Sequence, residues 1–165
     1  TSSNSLKLKS QTVGQVADCS QFTYAELGSV WGVTFTDMDE GNKVIELSVD
    51  GGKQYTCTYN ETDSGLGVTL SIETREYPTE EKAKQSIIDT LSTEKFGDTV
   101  YYTHKDVSDL GDEAFLWTRA GSAKVQNQQM YVRKGNVVFL LSGVNIDGVS
   151  SDYGDKLIAS YKLHY

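Results

Sequence analysis

The chain is poor in histidine, cysteine and proline, and it carries no excess of positive charge. It has 165 residues with 15 Lys and Arg against 23 Asp and Glu, which gives a net charge of −8 at pH 7. Nucleic acid is excluded as a partner, because phosphates require clustered Lys and Arg. No apolar run approaches the roughly 20 residues of a membrane span. The hydrophobic fraction of 38% is typical of a soluble globular protein.

Residues that could support catalysis or bind a metal are equally scarce. A nucleophilic Ser or Cys needs a base beside it, and the only histidines are His104 and His164, the latter next to the C-terminal end, where chains fray. Two distant histidines do not supply a zinc site, and no phosphate-cradling glycine loop is present. Asp37 and Asp39 lie in an acidic turn that fails the EF-hand calcium-loop template, so a looser calcium site is left as the alternative to a plain acidic turn. We expect no enzyme activity, no metal and no cofactor.

The two cysteines, Cys19 and Cys57, are the most informative residues that are present. Cys19 precedes a short helix signal, and Cys57 is the centre of the strand-like run Tyr-Thr-Cys-Thr-Tyr. An even pair on two structural elements predicts one disulfide and an oxidising compartment. The alternative is a pair of buried free thiols in a cytosolic protein.

The length predicts a single domain. The polar opening residues resemble the end of a tether or a cloning remnant, so residues 1–16 are assigned to a flexible tether and 17–165 to the domain. No repeat, low-complexity block or proline-rich linker divides the chain, and its one proline is Pro78.

The first half of the chain predicts a short helix, three strands and a long helix. Thr23 and Glu26 form a capping box for a helix that ends at Gly28. Alternation over 45–49, 55–59 and 66–72 predicts three strands. Placing the apolar residues of the first two on one face pairs Leu47 with Tyr55 and Ile45 with Cys57. The long helix begins at Thr79 and closes near 96–97, and its apolar stripe at helical spacing comprises Ala83, Ile87, Ile88 and Leu91.

The second half predicts four strands and a closing helix. Strands are expected over 100–103 and 114–118, followed by a hairpin of 130–134 and 137–141 around Gly135-Asn136, which suits a type II′ turn. Because Val138 and Leu140 lie opposite Phe139 and Leu141, the last strand is predicted to be central and covered on both sides. A helix over 152–161 closes the chain. The fold class is therefore α+β, a mainly antiparallel sheet of about six to eight strands packed with a long helix, a C-terminal helix and a short N-terminal one.

Four aromatic residues have no obvious place in the predicted core. That core comprises Ile45, Leu47, Leu70, Ile72, Ile87, Leu91, Val132, Phe139 and Leu157. The aromatic residues left outside it are Trp31, Tyr101, Tyr102 and Trp117. Because Tyr101 and Tyr102 are adjacent on a strand, their side chains must point to opposite faces. Exposed aromatics beside the acidic turn of Asp109, Asp112 and Glu113 would form a partner surface, which comprises Tyr101, Tyr102, Asp109, Asp112, Glu113 and Trp117. The alternatives are core or edge packing for the aromatics and simple strand entry for the turn.

Four motifs occur together in an order that resembles a known group of proteins. They are Ala-Asp-Cys19-Ser before a Thr-x-x-Glu helix start, Tyr-Thr-Cys57-Thr-Tyr, Leu110-Gly-Asp-Glu-Ala-Phe115 and Tyr131-Val-Arg-Lys-Gly-Asn-Val-Val-Phe139. Over about residues 17–162 the chain resembles small bacterial cell-envelope lipoproteins of actinobacterial type, with a PsbP/Mog1-like fold. The resemblance implies a lipoprotein signal and a lipid-modified cysteine upstream of Thr1, and it supplies no catalytic residues.

Three functions are compatible with these observations. The first is a non-enzymatic, extracytoplasmic binding or accessory domain, a monomer held at the membrane only through a lipid anchor, with a cell-envelope protein as partner. The second is a carrier of a small apolar ligand between the sheet and the long helix. The third is a hydrolase that uses dispersed carboxylates.

Overall fold

The computed structural model describes residues 21–37, 43–47, 51–62, 67–92, 95–96, 100–120, 125–144 and 152–165. Within these ranges, the chain forms three helices and nine strands, two of which are only two and three residues long. The helices are α1 (Tyr24–Trp31), α2 (Glu80–Leu91) and α3 (Tyr153–Tyr161). The strands are β1 (Phe35–Asp37), β2 (Lys43–Leu47), β3 (Gly52–Glu61), β4 (Thr69–Glu76), β5 (Lys95–Phe96), β6 (Val100–Asp106), β7 (Glu113–Ala120), β8 (Val125–Lys134) and β9 (Val137–Val144).

All strands belong to one antiparallel sheet with the order β1-β3-β4-β9-β8-β7-β6-β5, and β2 also pairs with β3. The predicted α+β class is confirmed. The sequence predicted three strands before α2 and four after it. The short strands β1 and β5 raise these numbers to four and five. The strand β9 lies between β4 and β8, which confirms that it is central.

The hairpin of β8 and β9 forms as predicted. Met130 lies opposite Leu141 and Val132 opposite Phe139, and Gly135 has a φ of +59°, as the first position of a type II′ turn requires. The turn is also held from outside, because the side-chain amide of Asn136 donates to the carbonyl oxygen of Tyr77 at 2.7 Å.

The two faces of the sheet are covered unequally. One face carries Cys57, Leu70, Ile72, Val132 and Leu141, and it packs against α1 and α3 in the larger core. The other face is covered over Val138 and Leu140 by α2, through Ala83 and Ile87. Leu70, Ile72, Ile87, Val132, Phe139 and Leu157 are buried as expected. Leu91 is partly buried, and the side chains of Ile45 and Leu47 lie outside the described residues.

The predicted register of the first hairpin is wrong. Leu47 lies opposite Gly52, and Ile45 lies opposite Gln54, rather than opposite Tyr55 and Cys57. The prediction placed the apolar residues of β2 opposite Tyr55 and Cys57. The observed pairing is shifted by three residues, an odd number, so these residues lie opposite the β3 residues that alternate with Cys57. The close approach of β3 to the end of β4 favours glycine at position 52, because a Cβ there would clash with the carbonyl oxygen of Glu76.

Three details of the predicted helices also need correction. The capping box of Thr23 and Glu26 is present, but α1 continues past Gly28 to Trp31 and ends at Gly32, whose φ of +70° suits a left-handed cap. Helix α2 ends at Leu91, since Phe96 belongs to β5. Ile88 is 56% exposed on α2 instead of facing the sheet. The prediction counted one residue too many in the apolar stripe.

Trp31 and His164, which the sequence left outside the core, are both packed. Trp31 is 3% exposed, and its indole Nε1 donates to the hydroxyl of Ser160 at 2.9 Å. The ring fits over β9 at Gly143, where a Cβ would lie 2.6 Å from it. His164 packs edge-on against Phe22 at 4.7 Å between ring centroids. The C-terminal residues are therefore docked on the larger core and do not fray there.

Candidate functional site

Tyr102 and Trp117 are in direct contact on the α2 side of the sheet. Their rings are stacked with centroids 4.3 Å apart, and both side chains are half-buried. Tyr102 lies opposite Arg119, and Trp117 lies opposite His104, so all four side chains project from the same face of β6 and β7. Two residues of the predicted partner surface, Tyr102 and Trp117, are therefore in contact. The side chain of Tyr101 lies outside the described residues.

Two rows of side chains extend this aromatic pair across the sheet. One row runs from His104 and Trp117 to Gln129, Ser142 and Ser71, and the other runs from Tyr102 and Arg119 to Asn127, Val144 and Thr69. We call these ten residues the Trp117 face. The apolar contacts of α2 reach only as far as Trp117, so the rest of the face is a half-buried surface of hydroxyl, amide and aromatic groups, with exposed His104 and Val144 at its margins.

The acidic turn does not belong to the Trp117 face. Glu113 is separated from Trp117 by four residues of β7, or about 13 Å along an extended strand. Asp112 and Glu113 instead bind Arg133, a cation that is only 4% exposed. Asp109 is exposed, and its φ of +64° allows the turn that buries Leu110.

Arg133 joins three elements through its guanidinium group. Its Nε donates to Glu113 at 2.8 Å, and its Nη1 donates to Asp112 at 3.0 Å and to Glu80 of α2 at 3.4 Å. Asp112 also accepts from the backbone N–H of Gly135 in the hairpin turn, at 2.7 Å. We call Arg133, Glu80, Asp112 and Glu113 the Arg133 cluster. Burial lowers the pKa of Arg133, but the neighbouring carboxylates raise it by more, so its pKa lies above the ordinary value.

The geometry gives the Arg133 cluster a structural role. The close packing of Gly111, where a Cβ would lie 2.4 Å from the carbonyl oxygen of Arg133, holds the turn against β8. The sequence analysis missed Arg133 as the partner of the acidic turn. A signal for it was available, since strand alternation places Arg133 on the same face as Tyr131, at the α2 side, where a buried cation needs carboxylates.

Other chemical groups near the Trp117 face are hydrogen-bonded in place. The hydroxyl of Tyr131 donates to Gln129 at 2.9 Å, and burial raises the pKa of Tyr131 to about 12. Arg75 pairs with Glu73 at 3.0 Å.

In the described part of the chain, no group of three or more His, Cys, Asp or Glu residues is placed to hold a metal ion. Most of the turn of Asp37 and Asp39 lies outside the described residues, so its calcium site is not tested.

The described residues leave the disulfide as a prediction. Cys57 is 2% exposed on β3, opposite Ile72, and the described part of the chain contains no free cysteine. Cys19 lies outside the described residues, as does the 1–16 tether. No helix in the described ranges has the length and apolar character to cross a membrane.

No family model matches the chain, and neither does any curated protein. Among solved structures, the extracellular domain of PknH from Mycobacterium tuberculosis is similar, with a TM-score of 0.53 and 13% sequence identity. The match covers 90% of this chain and 97% of that domain. The chain shares that fold. At this identity the likeness extends to the fold alone, and the PsbP/Mog1-like architecture stays a prediction.

Proposed function

We propose that this chain is a non-enzymatic, extracytoplasmic binding domain that holds its partner on the Trp117 face. The observation that carries the proposal is the stacked pair of Tyr102 and Trp117 on a surface of polar side chains, because Tyr and Trp are enriched where proteins bind. The compartment is supported by the predicted Cys19–Cys57 disulfide and by the fold shared with an extracellular domain. A lipid anchor upstream of Thr1, a cell-envelope partner and a monomeric state belong to the same proposal.

The two alternatives receive less support from the described side chains. The interface between α2 and the sheet is filled by Ala83, Ile87, Phe115, Val138 and Leu140, all buried, so it favours a packed layer over an apolar ligand cavity. The three carboxylates that the structure brings together are bonded to Arg133, which favours a structural role over acid–base catalysis. We therefore expect only background rates on esterase, phosphatase, glycosidase and peptidase substrates.

A binding experiment with matched variants tests the proposal. The immobilised domain is exposed to solubilised bacterial envelope fractions, and the retained material is compared for wild type, Tyr102→Ala, Trp117→Ala and Ile88→Ala. Ile88 is an exposed apolar residue on α2, outside the Trp117 face. The Ile88→Ala variant therefore controls for non-specific adsorption to exposed apolar side chains. Truncation of a central aromatic anchor costs 2 kcal/mol or more, which lowers affinity by about 30-fold.

We expect wild type and Ile88→Ala to retain the same material, and Tyr102→Ala and Trp117→Ala to lose it while keeping a native circular-dichroism spectrum. Equal retention by all four proteins would exclude the Trp117 face as the binding surface. A large loss of thermal stability in the two aromatic variants would assign Tyr102 and Trp117 to the core instead.

A further inference from the structure

Arg119 stands out on the Trp117 face because it has no carboxylate partner among the residues that the structure describes. In the described part of the chain, no carboxylate pairs with its guanidinium group, and its Nε is shielded from solvent without a hydrogen-bond acceptor. Arg133 is bonded to carboxylates through Nε and Nη1, and Arg75 is bonded to Glu73 through Nη2, although the Nε of Arg75 also lacks an acceptor. Arg119 is half-buried, and its Nε has no acceptor among the described residues, so an anion supplied by a ligand would gain a charge-assisted hydrogen bond there.

Within the Trp117 face, the permanent charge has one sign. Among the ten residues of the Trp117 face there is no Asp or Glu, and Arg119 is the only side chain with a permanent charge. A single cation does not suit a polyanion such as nucleic acid, which requires several. It suits a ligand that carries one negative group at a defined place.

The remaining side chains indicate what surrounds that negative group. The Trp117 face continues past Arg119 through Asn127 and Gln129 to Ser142, Ser71 and Thr69. Amide and hydroxyl groups both donate and accept hydrogen bonds, so they match a ligand rich in hydroxyls better than an apolar one. The exposed parts of the Trp117 and Tyr102 rings offer apolar surface to the C–H side of a sugar ring.

We propose that the Trp117 face binds a saccharide that carries an anionic group. The anion pairs with the guanidinium of Arg119, the sugar ring packs beside Trp117, and the sugar hydroxyls bond to Asn127 and Gln129. This inference rests on the proposed function and adds the chemical class of its ligand. Carboxylate and phosphate share the chemistry that Arg119 recognises, and the experiment separates them.

Isothermal titration at low salt tests the proposal with defined probes. Tetragalacturonate carries carboxylates, singly phosphorylated maltotetraose carries a phosphate, maltotetraose is neutral, and tetraglutamate is an acidic peptide. We expect one or both acidic saccharides to bind at least about 10-fold more tightly than maltotetraose, since one charge-assisted hydrogen bond is worth about one factor of ten or more. The affinity should fall as salt is added.

Variants at two arginines assign the effect to Arg119. Arg119→Gln should reduce affinity for the acidic saccharide to that for maltotetraose, and Arg119→Lys should retain part of the difference, because Lys keeps the charge but not the planar fork. Arg75→Gln is the matched control, since Arg75 lies outside the Trp117 face and is already paired with Glu73. It should bind like wild type.

Three results would overturn the inference, namely equal binding of acidic and neutral saccharides, tetraglutamate binding as tightly as the acidic saccharides, or no saccharide binding at all. If envelope material still depends on Trp117 while no saccharide binds, the proposed function stands and only the ligand class fails. If neither the retention of envelope material nor saccharide binding depends on Trp117, the proposed function and the ligand class both fail.

Discussion

At the scale of single residues, the two arginines Arg133 and Arg119 have opposite surroundings. Arg133 is buried and surrounded by Glu80, Asp112 and Glu113, so its charge is used within the fold. Arg119 is on the Trp117 face without a carboxylate partner in the described part of the chain. The first arrangement stabilises the domain, and the second leaves a cation available to a ligand.

Replacing Arg133 tests its structural role. Arg133→Gln should lower the free energy of unfolding by about 3 kcal/mol, because removing the buried guanidinium breaks several charge-assisted bonds to half-exposed carboxylates at once. Urea unfolding measures the change. Arg75→Gln, which removes a single ion pair of a more exposed arginine, should cost less than about 1 kcal/mol. Equal costs for the two variants would show that the Arg133 cluster is no more than a surface ion pair.

The capping box of α1 gives a pH-dependent prediction. The hydrogen bond from the Thr23 hydroxyl lowers the pKa of Glu26 below its ordinary value of 4.5. A lowered pKa in the folded state means that this stabilisation is present above the unfolded value and is lost as the pH falls through the folded one. Thr23→Ala should cost about 1 kcal/mol at neutral pH and raise the pKa of Glu26.

An NMR titration of the Glu26 side chain in both proteins measures this effect, and urea unfolding at pH 7 and at pH 3 measures its contribution to stability. The difference between wild type and Thr23→Ala should be smaller at pH 3 than at pH 7, because the stabilisation by the Glu26 carboxylate is lost as the pH falls through its folded-state pKa. A difference that is unchanged between the two pH values would mean that the carboxylate of Glu26 takes no part in the cap.

At the scale of elements, α2 covers only part of its side of the sheet, and this leaves the Trp117 face uncovered by the described helices. Ile87 of α2 is 4% exposed, whereas its neighbour Ile88 is 56% exposed. This pair fixes the rotation of the helix. If α2 were turned by one residue, Ile88 would face the sheet, as the sequence analysis expected.

Two matched substitutions test the orientation of α2. Ile87→Ala should destabilise the domain by about 2–5 kcal/mol through lost burial and a residual cavity. Ile88→Ala should change stability by less than about 0.5 kcal/mol, as is usual at exposed positions. Chemical denaturation of both variants is the measurement. A larger loss for Ile88→Ala would reverse the assignment and place different helix residues beside Trp117.

Sequence reasoning succeeded where a local pattern determines the element and failed where a distant contact does. The β8–β9 hairpin follows from Gly135-Asn136 between alternating runs, and the start of α1 follows from Thr23 and Glu26. The register of β2 and β3 was predicted wrongly, because the alternation within each strand does not determine which residues pair across the two strands. Likewise, the pairing of Arg133 with Asp112 joins residues far apart in the sequence.

At the scale of the whole molecule, the predicted Cys19–Cys57 disulfide would tie the segment before α1 to the centre of β3. Closing a loop of roughly 40 residues is worth about 4 kcal/mol in the chain-entropy model. The partner surface was predicted less well than the fold. Tyr102 and Trp117 do meet, but Asp112 and Glu113 are bonded to Arg133. Arg119 was not foreseen, because its lack of a carboxylate partner among the described residues depends on the folded sheet.

Removing the disulfide should destabilise the domain by about 2–5 kcal/mol. Cys19→Ser, Cys57→Ser and the double variant should lose similar amounts, because one bond is removed in each case, and wild type should melt at a lower temperature in reductant. Mass spectrometry after alkylation without reduction counts free thiols directly. Two alkylated cysteines in the folded protein would refute the disulfide and with it the argument for an oxidising compartment.

The most direct test of the central claim uses the two tryptophans of the chain as internal reporters. The indole N–H of Trp31 is buried and bonded to Ser160, whereas Trp117 lies on the proposed binding face. In an NMR titration of the isotope-labelled domain with the retained envelope fraction, we expect the Trp117 indole resonance to shift progressively while that of Trp31 stays in place. A shift of Trp31 alone, or of neither resonance despite demonstrated binding, would contradict the claim that the partner binds on the Trp117 face.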